Sequence, residues 1–586
     1  MDIYSATIIV SIIVFVLIGN YTGRSVRELD DYFVAGRRAP TLLIVGTLVA
    51  SVLSTTTFMG EAGFTYDGQM GPYILFPGLA VIGYIYGALL FGTFLRRSRA
   101  PTVADFFGQR FNSHRVQQAA GITIIIGLGG YLLVVTQGAA ILLSDLTTLT
   151  YFECILLAWF SYTIFTMYAG SKGVILTDTL MFLLFTGATI IFVYVIVSDF
   201  GGVQTAVSDL VNSGVKPDIA SWHGIVGPGT DWPTGLDLAI WIIVIDISWG
   251  VVYAVGPWQS SRHLMAKDEH VVIRASIYTC FVIILMQVFI YGIGGLMNIA
   301  NPEISPSETV LIWAAKNLVP EFLGAILLAG IVAAALSSAS TFLSLVGFSV
   351  SNDIVKRETE LSLKTTRTLM FITGLIVLVA SYFFPPNIFW LTLFIGTVFA
   401  SSWGAVGFMS VWSKRITADA AFWGIVTGFI FNVIPAAIEY LGFITLPSYL
   451  NPVIIGTVVS LVTIFVISAR GKVSRQEAVY RMRLHRTPAE DFDAKKTRTT
   501  LIAPLCLVSY GCLMPFAVWH YYVAPYQDAS GHLLADGSLD FSRIEALLPF
   551  STPAVHVTLG LISAWVIWKR YSPNARSKTR AVRREN

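Results

Sequence analysis

Residues 329–349, AGIVAAALSSASTFLSLVGFS, set Ser337, Ser338, Ser340, Thr341 and Ser344 into an otherwise apolar run. At about 100° per residue in a helix, Ala334, Ser337 and Ser338 share one face. Ser337, Ser340 and Thr341 share an overlapping one. Neutral hydroxyl and carbonyl oxygens suit a hard cation such as sodium, and no thiolate or imidazole accompanies them. The same hydroxyls could instead serve as polar glue between helices. Two carboxylates stand in comparable surroundings, Asp178 in SKGVILTDTLMFLLF and Asp246 in LAIWIIVIDISWGVVYAVGPW. An ionisable group at membrane depth is a functional-site candidate by default. No Lys or Arg is expected at the same depth, so a mobile cation is expected to supply the missing charge. A buried helix–helix hydrogen bond is the alternative for each. Glu61, Glu153 and Glu439 fall nearer the ends of their segments and read as wet.

Two segments carry the signs of broken helices. In VASVLSTTTFMG, Ser51, Ser54, Thr55, Thr56 and Thr57 compete with the helix for backbone hydrogen bonds, flanked by Gly46, Gly60 and Gly63. The Asp246 segment carries Gly250, Gly256 and Pro257. Backbone freed at such breaks is tolerable in a membrane only where it lines a cavity, as in transporters that bind ions and solute near the midplane. Close packing of small residues is the plainer reading, and both could hold. Asp246, Trp249 and Tyr253 recur at i, i+3 and i+7, a face that could receive an amino or quaternary-ammonium group or simply pack.

The elements that must position these residues are membrane helices. The chain has 586 residues, 55% hydrophobic and only 12% charged, against about 25% charged in soluble domains. Apolar runs long enough to cross a bilayer fall near 3–20, 42–66, 71–95, 119–144, 149–168, 173–198, 235–258 and 271–297. Others fall near 321–350, 367–384, 387–412, 418–442, 451–469, 499–522 and 553–568, about fifteen in all. With the N-terminus outside and the C-terminus inside, all of the 38 Lys and Arg except Lys216, Lys316 and Arg543 fall on the inner side, as the positive-inside rule requires. The first run lacks a basic leader and reads as a retained span. Outer loops at 200–234, 298–320 and 523–552 are too short for domains. The inner segment 470–498 reads as a charged, partly helical linker, and the tail 569–586 as basic and held near anionic headgroups. Cys154, Cys280, Cys506 and Cys512 lie in apolar segments without metal-like spacing and read as small core hydrophobes.

Several motifs resemble the sodium:solute symporter family, which includes proline, sialic acid and sugar symporters and animal glucose and iodide relatives. The most specific is LDDYFVAGRRAPTLLIVGTLVASVLSTTTFMGEAGFTYDGQMG. LTDT at 176–179, PWQSSRHLMAKD at 257–268, and AAALSSAS followed by SVSNDI within 333–354 keep the family's order and spacing. The resemblance spans about residues 3–470. It implies an all-α polytopic protein with a 5+5 inverted-repeat core of the leucine-transporter type. Spans would divide into 1–41, a first repeat at 42–199, the loop 200–234, and a second repeat at 235–415. Two peripheral spans would follow at 416–469, then the linker 470–498, two extra spans at 499–568 and the tail. Carried over by position, one sodium site would use carbonyls of Ala50, Leu53 and Ala334 with hydroxyls of Ser337 and Ser338. A second, which only some members have, would use Asp178, Ser337, Ser340 and Thr341. Solute contacts map to Ser54 and Thr57, and to Trp249, Val252 and Tyr253. Asp246 departs from the family's usual amide or aromatic.

The resulting expectation is a transporter, not an enzyme. It would be a multi-pass protein of the plasma or bacterial inner membrane importing a small organic solute with one or two sodium ions by alternating access. Its partners would be solute, sodium and the lipid bilayer, with no nucleic acid and no obligate protein partner. Proton coupling through Asp178 is the first alternative. A transport-derived sensor is the second, although no signalling domain is attached.

Overall fold

A computed structural model describes residues 2–75, 78–354 and 362–572. Among these the chain is helical throughout, with a single isolated bridge between Ala39 and Ala266 in place of any sheet. Among the described residues, twelve helices are long and apolar enough to cross a membrane. The expected runs at 149–168 and 173–198 join into one helix, Tyr151–Asp199. At 1.5 Å per residue its 49 residues would extend about 74 Å, more than twice a hydrocarbon core. It turns at Gly170, whose φ of 55° and ψ of −152° no L side chain adopts comfortably. The runs at 42–66 and 71–95 are present in pieces, because Ser, Thr and Gly interrupt them. The first begins as Thr41–Ala50, and the second ends in helical turns over 83–98.

Burial sorts the helices into core and periphery. In their most apolar windows, Glu321–Asn352 is 83% buried, Ile388–Trp412 78% and His114–Leu146 72%. Ile3–Gly23 is only 22% buried, and Ala418–Tyr440, Ser448–Arg470 and Ile544–Tyr571 are 28% buried each. The hydroxyl-bearing helix is therefore the best-enclosed long element, and its Ser and Thr cannot be solvated from outside. Starts are fixed by local chemistry. Thr150 and Glu153 form a capping box, and Thr234 and Asp268 each accept a backbone N–H in the first turn after them. Glu153 is exposed, as expected of a wet carboxylate, and it also caps its helix.

The linker holds the helix Arg475–Leu484, again started by a capping box, Ser474 with Glu477. All four cysteines are free. Cys154 and Cys280 are buried, but Cys506 and Cys512 are exposed on the peripheral helix Ala494–Val518, which corrects the expectation of core positions. Residues 573–586, most of the expected basic tail, lie outside the described residues.

Candidate functional site

Thr41–Ala50 stops because the following serines and threonines take over its hydrogen bonds. The amides of Val52 and Leu53 turn back onto the carbonyl of Val49, and the Ser54 hydroxyl accepts the Thr56 amide at 3.2 Å. Helical turns resume at Thr56. The Ala50 carbonyl accepts instead from two side chains of the facing helix, the hydroxyls of Ser337 and Ser338, each at 3.2 Å. Three of the five residues expected at the first sodium site are thus in direct contact. Leu53 and Ala334, the other two, are fully buried.

Close approach of this segment to Tyr151–Asp199 depends on Gly46, where a Cβ would lie 2.8 Å from the Thr179 Cα. That approach brings Thr47 to Asp178, which is fully buried. One carboxylate oxygen accepts from the Ser337 hydroxyl at 2.6 Å and the other from the Thr47 hydroxyl at 2.5 Å. Ser337 therefore touches both the broken helix and the buried acid. Ser340 does not: its hydroxyl donates to the carbonyl of Ser337 in its own helix at 2.8 Å.

The expectation that no basic residue reaches this depth is wrong for Asp178. Arg262, 1% exposed, puts Nη2 3.5 Å from the Asp178 carboxylate. The same guanidinium donates to the Thr341 hydroxyl, to Thr47 Oγ1 at 3.1 Å and to Ser261 Oγ at 3.2 Å. In the sequence Arg262 reads as an inner-loop charge, because it follows Gly256 and Pro257. The chain does break there, with Gly256 at ψ 143°, but it resumes as Pro257–Met265, every residue of which is buried. The break redirects the helix into the protein, and Arg262 goes with it.

The expected solute-contacting residues divide. Trp249 and Tyr253 lie 5.5 Å apart, with Tyr253 stacked on Tyr84 and Trp249 edge-on to Trp258. Trp258 also packs edge-on against Tyr131, Phe342 and Phe399. Val252 is fully buried one turn along the Trp249 helix. The sequence reading missed Trp258, Tyr131, Phe342 and Phe399, whose only signal was aromatic type within core spans. Ser54 and Thr57 are buried on the first broken segment. Asp246 instead lines a cavity of about 50 Å³ with Tyr73, Trp241, Gln287 and Tyr291. Tyr291 donates to Glu61, so that carboxylate is held by a phenol and is not simply wet. Several buried polar atoms near the breaks lack partners: Thr55 Oγ1, Trp249 Nε1, Ser260 Oγ and both side-chain polar atoms of Gln259. Buried polar groups are rarely left unpaired without reason, and a polar solute is one group that could engage them.

The profile of the Sodium:solute symporter family matches residues 32–428. The sodium/pantothenate symporter of Escherichia coli (strain K12) is 24% identical over 433 residues, covering 71% of this chain and 86% of that protein. The sodium/sialic acid symporter of Aliivibrio fischeri is 23% identical over 438 residues, 70% of this chain and 83% of that protein. Among solved structures, a Na+-coupled sialic acid symporter in a substrate-bound outward-open state superposes with a TM-score of 0.67 at 20% identity. It covers 81% of this chain and 99% of that one.

Proposed function

The chain belongs to the sodium:solute symporter family, and from that premise we propose how its own residues bind the coupling ion and a small organic solute. It is a sodium-coupled transporter of the plasma membrane, not an enzyme. The ion site proposed is built from the carbonyls of Ala50, Leu53 and Ala334 and the hydroxyls of Ser337 and Ser338. The observation that carries it is the convergence of both hydroxyls on the Ala50 carbonyl at the helix break. A hydroxyl that donates to a carbonyl can turn its lone pairs toward a cation instead, so an arriving sodium exchanges the Ser338 hydrogen bond for ion–oxygen contacts, while Ser337 keeps its proton on Asp178. The break matters because a continuous helix would have consumed the Ala50 carbonyl.

The solute would occupy the region between the two broken segments, against Ser54, Thr57, Trp249 and Tyr253. Asp246, about one turn before Trp249 in the same helix, would join them from the small cavity it lines. Because the ion site joins a broken segment of the first repeat to a helix of the second, sodium binding favours the arrangement in which they touch. Alternating access then follows from rocking of one group of helices against the other.

The test uses sodium alone. The melting temperature of the purified protein should rise as sodium replaces choline or potassium, since a ligand bound only by the folded state stabilises it. Ser338→Ala should weaken that response about tenfold in sodium concentration, in line with loss of one contact to a charged group. An unchanged sodium response in Ser338→Ala refutes the site.

A further inference from the structure

We propose that a cavity lined by four arginines, away from the ion and solute sites, holds the phosphate of an anionic phospholipid headgroup. The cavity, of about 520 Å³, is lined by Arg37, Arg38, Arg96 and Arg99 with Gly36 and Asp30. Asp30 accepts from Arg37 at 3.1 Å, which leaves the other three guanidiniums without an ion pair among the described residues. The arginines divide into two roles. Arg37 donates to the carbonyls of Arg99 at 2.9 Å and Ala100 at 3.3 Å. Arg96 donates to the carbonyls of Ala266 at 2.5 Å and Lys267 at 3.0 Å. These two fix the walls. Arg38 and Arg99 are exposed, and their side chains make no hydrogen bond among the described residues. Their guanidinium forks remain open to phosphate oxygens, which accept such donors in pairs.

The backbone carries these side chains against its own preference. Arg37 and Arg99 have φ of 56° and 58°, and Ala35 in the same turn as Arg37 has 50°. Glycine adopts this region without strain, and Arg99 stands at a helix C-cap, next to the position where glycine is common. Any residue would supply the carbonyl that Arg37 uses, so arginine at 99 is explained by its side chain. Strain of this kind gathers at functional sites. A lipid fits better than a soluble anion because the cavity lies at the ends of membrane helices. Arg96 is in the last turn of Thr93–Ser98, and Arg38 lies just before Thr41–Ala50. Leu42, in the first turn of the latter helix, is 58% exposed and offers an acyl chain an apolar surface beside the charges.

The test uses the full chain, delipidated in detergent and then given phosphatidylglycerol or phosphatidylcholine. Native mass spectrometry should find one retained phosphatidylglycerol per chain. That lipid should raise the melting temperature at about a tenth of the concentration phosphatidylcholine needs. Arg38→Gln/Arg99→Gln should lose both the retained lipid and the preference. Arg24→Gln/Arg27→Gln, which removes exposed charges outside the cavity, should keep both. Arg99→Gly relieves the backbone, so without lipid it should melt no lower than the parent, yet bind phosphatidylglycerol about fivefold more weakly. Unchanged retention in Arg38→Gln/Arg99→Gln, or equal loss in Arg24→Gln/Arg27→Gln, overturns the site. Inorganic phosphate that stabilises the parent as well as phosphatidylglycerol does overturns the lipid assignment in favour of a soluble anion.

Discussion

Ser337 is the hydroxyl of its helix that meets both the broken-helix carbonyl and the buried acid. Its oxygen lies 3.2 Å from the Ala50 carbonyl and 2.6 Å from the Asp178 carboxylate. A hydroxyl has one proton, so it donates to one of these at a time, and the shorter contact to the charged group is the stronger. Sodium at Ala50 would then find the Ser337 lone pairs already turned toward it, with the proton committed to Asp178. Ser337→Ala removes a proposed ligand and also uncovers one oxygen of a buried acid, a loss of about 1.5–3 kcal/mol for a bond to a charged group. Ser340→Ala removes only a bond within its own helix. Titrating the melting temperature with sodium should show Ser337→Ala shifted by ten- to a hundredfold and Ser340→Ala by less than about threefold, the ratios those energies correspond to. Equal shifts would mean that Ser337 does not mediate between the two groups. The hydroxyl pattern and Asp178 were legible in the sequence because residue type and helical phase are enough to mark them. Arg262 was not, since its meaning depends on where a helix goes after Gly256, and composition carries no information about that direction.

At the scale of elements, interruptions do as much as helices. Gly170 turns the Tyr151–Asp199 segment, and a Cβ there would meet Tyr32 Cδ2 at 2.5 Å and the Tyr32 carbonyl oxygen at 2.7 Å. Gly187, further along the same helix, has nothing within 4 Å of its built Cβ. Gly170→Ala should therefore destabilise by more than about 2 kcal/mol, through a forbidden backbone conformation and a clash with main chain. Gly187→Ala should be neutral or stabilising by up to about 1 kcal/mol, because alanine favours the helix. Thermal unfolding of the two variants side by side tests this, and a Gly170→Ala protein as stable as its parent contradicts the reading. The span pattern was readable because apolar runs of bilayer length leave few alternatives. The breaks at 51–55 and 256 were readable from Ser, Thr, Gly and Pro. What pattern alone missed was which helices lie inside: Ile3–Gly23 and Glu321–Asn352 look equally apolar, and only packing separates 22% from 83% burial.

At the scale of the whole molecule, the two C-terminal helices are fastened to the core from both ends. The Tyr522 hydroxyl donates to the Ala220 carbonyl at 2.8 Å. At the opposite, arginine-rich end, Glu269 receives Arg97 at 2.5 and 2.8 Å and the Tyr571 hydroxyl at 2.5 Å, while Arg97 also donates to the Leu484 carbonyl. His270 Nε2 lies 2.9 Å from the Asp491 carbonyl and its Nδ1 3.0 Å from Thr500 Oγ1. The linker is thus part of a buried polar joint, and Asp491 is its weak point. That residue is 1% exposed and its Oδ1 has no hydrogen-bond partner. Burial first, then the nearby carboxylates of Glu269 and Asp268, pushes it up to about 7, against the pull of Lys496.

An acid whose folded-state affinity for its proton is raised loses stability as pH rises. Below about pH 4 both folded and unfolded chains keep the proton and no penalty exists. Between about pH 4 and 7 the unfolded chain releases it first, and above about 7 the joint carries an unpaired carboxylate at full cost. Asp491→Asn removes the charge but keeps the shape, so it should melt higher than the parent at pH 8 and converge with it towards pH 4. Thermal unfolding across that range measures the gap. A gap that stays constant, or widens in acid, would mean that the Asp491 carboxylate is already satisfied in the folded joint. A gap that opens with pH places the titrating strain in the linker, where it loosens the hold of the C-terminal helices on the Arg97–Glu269 pair.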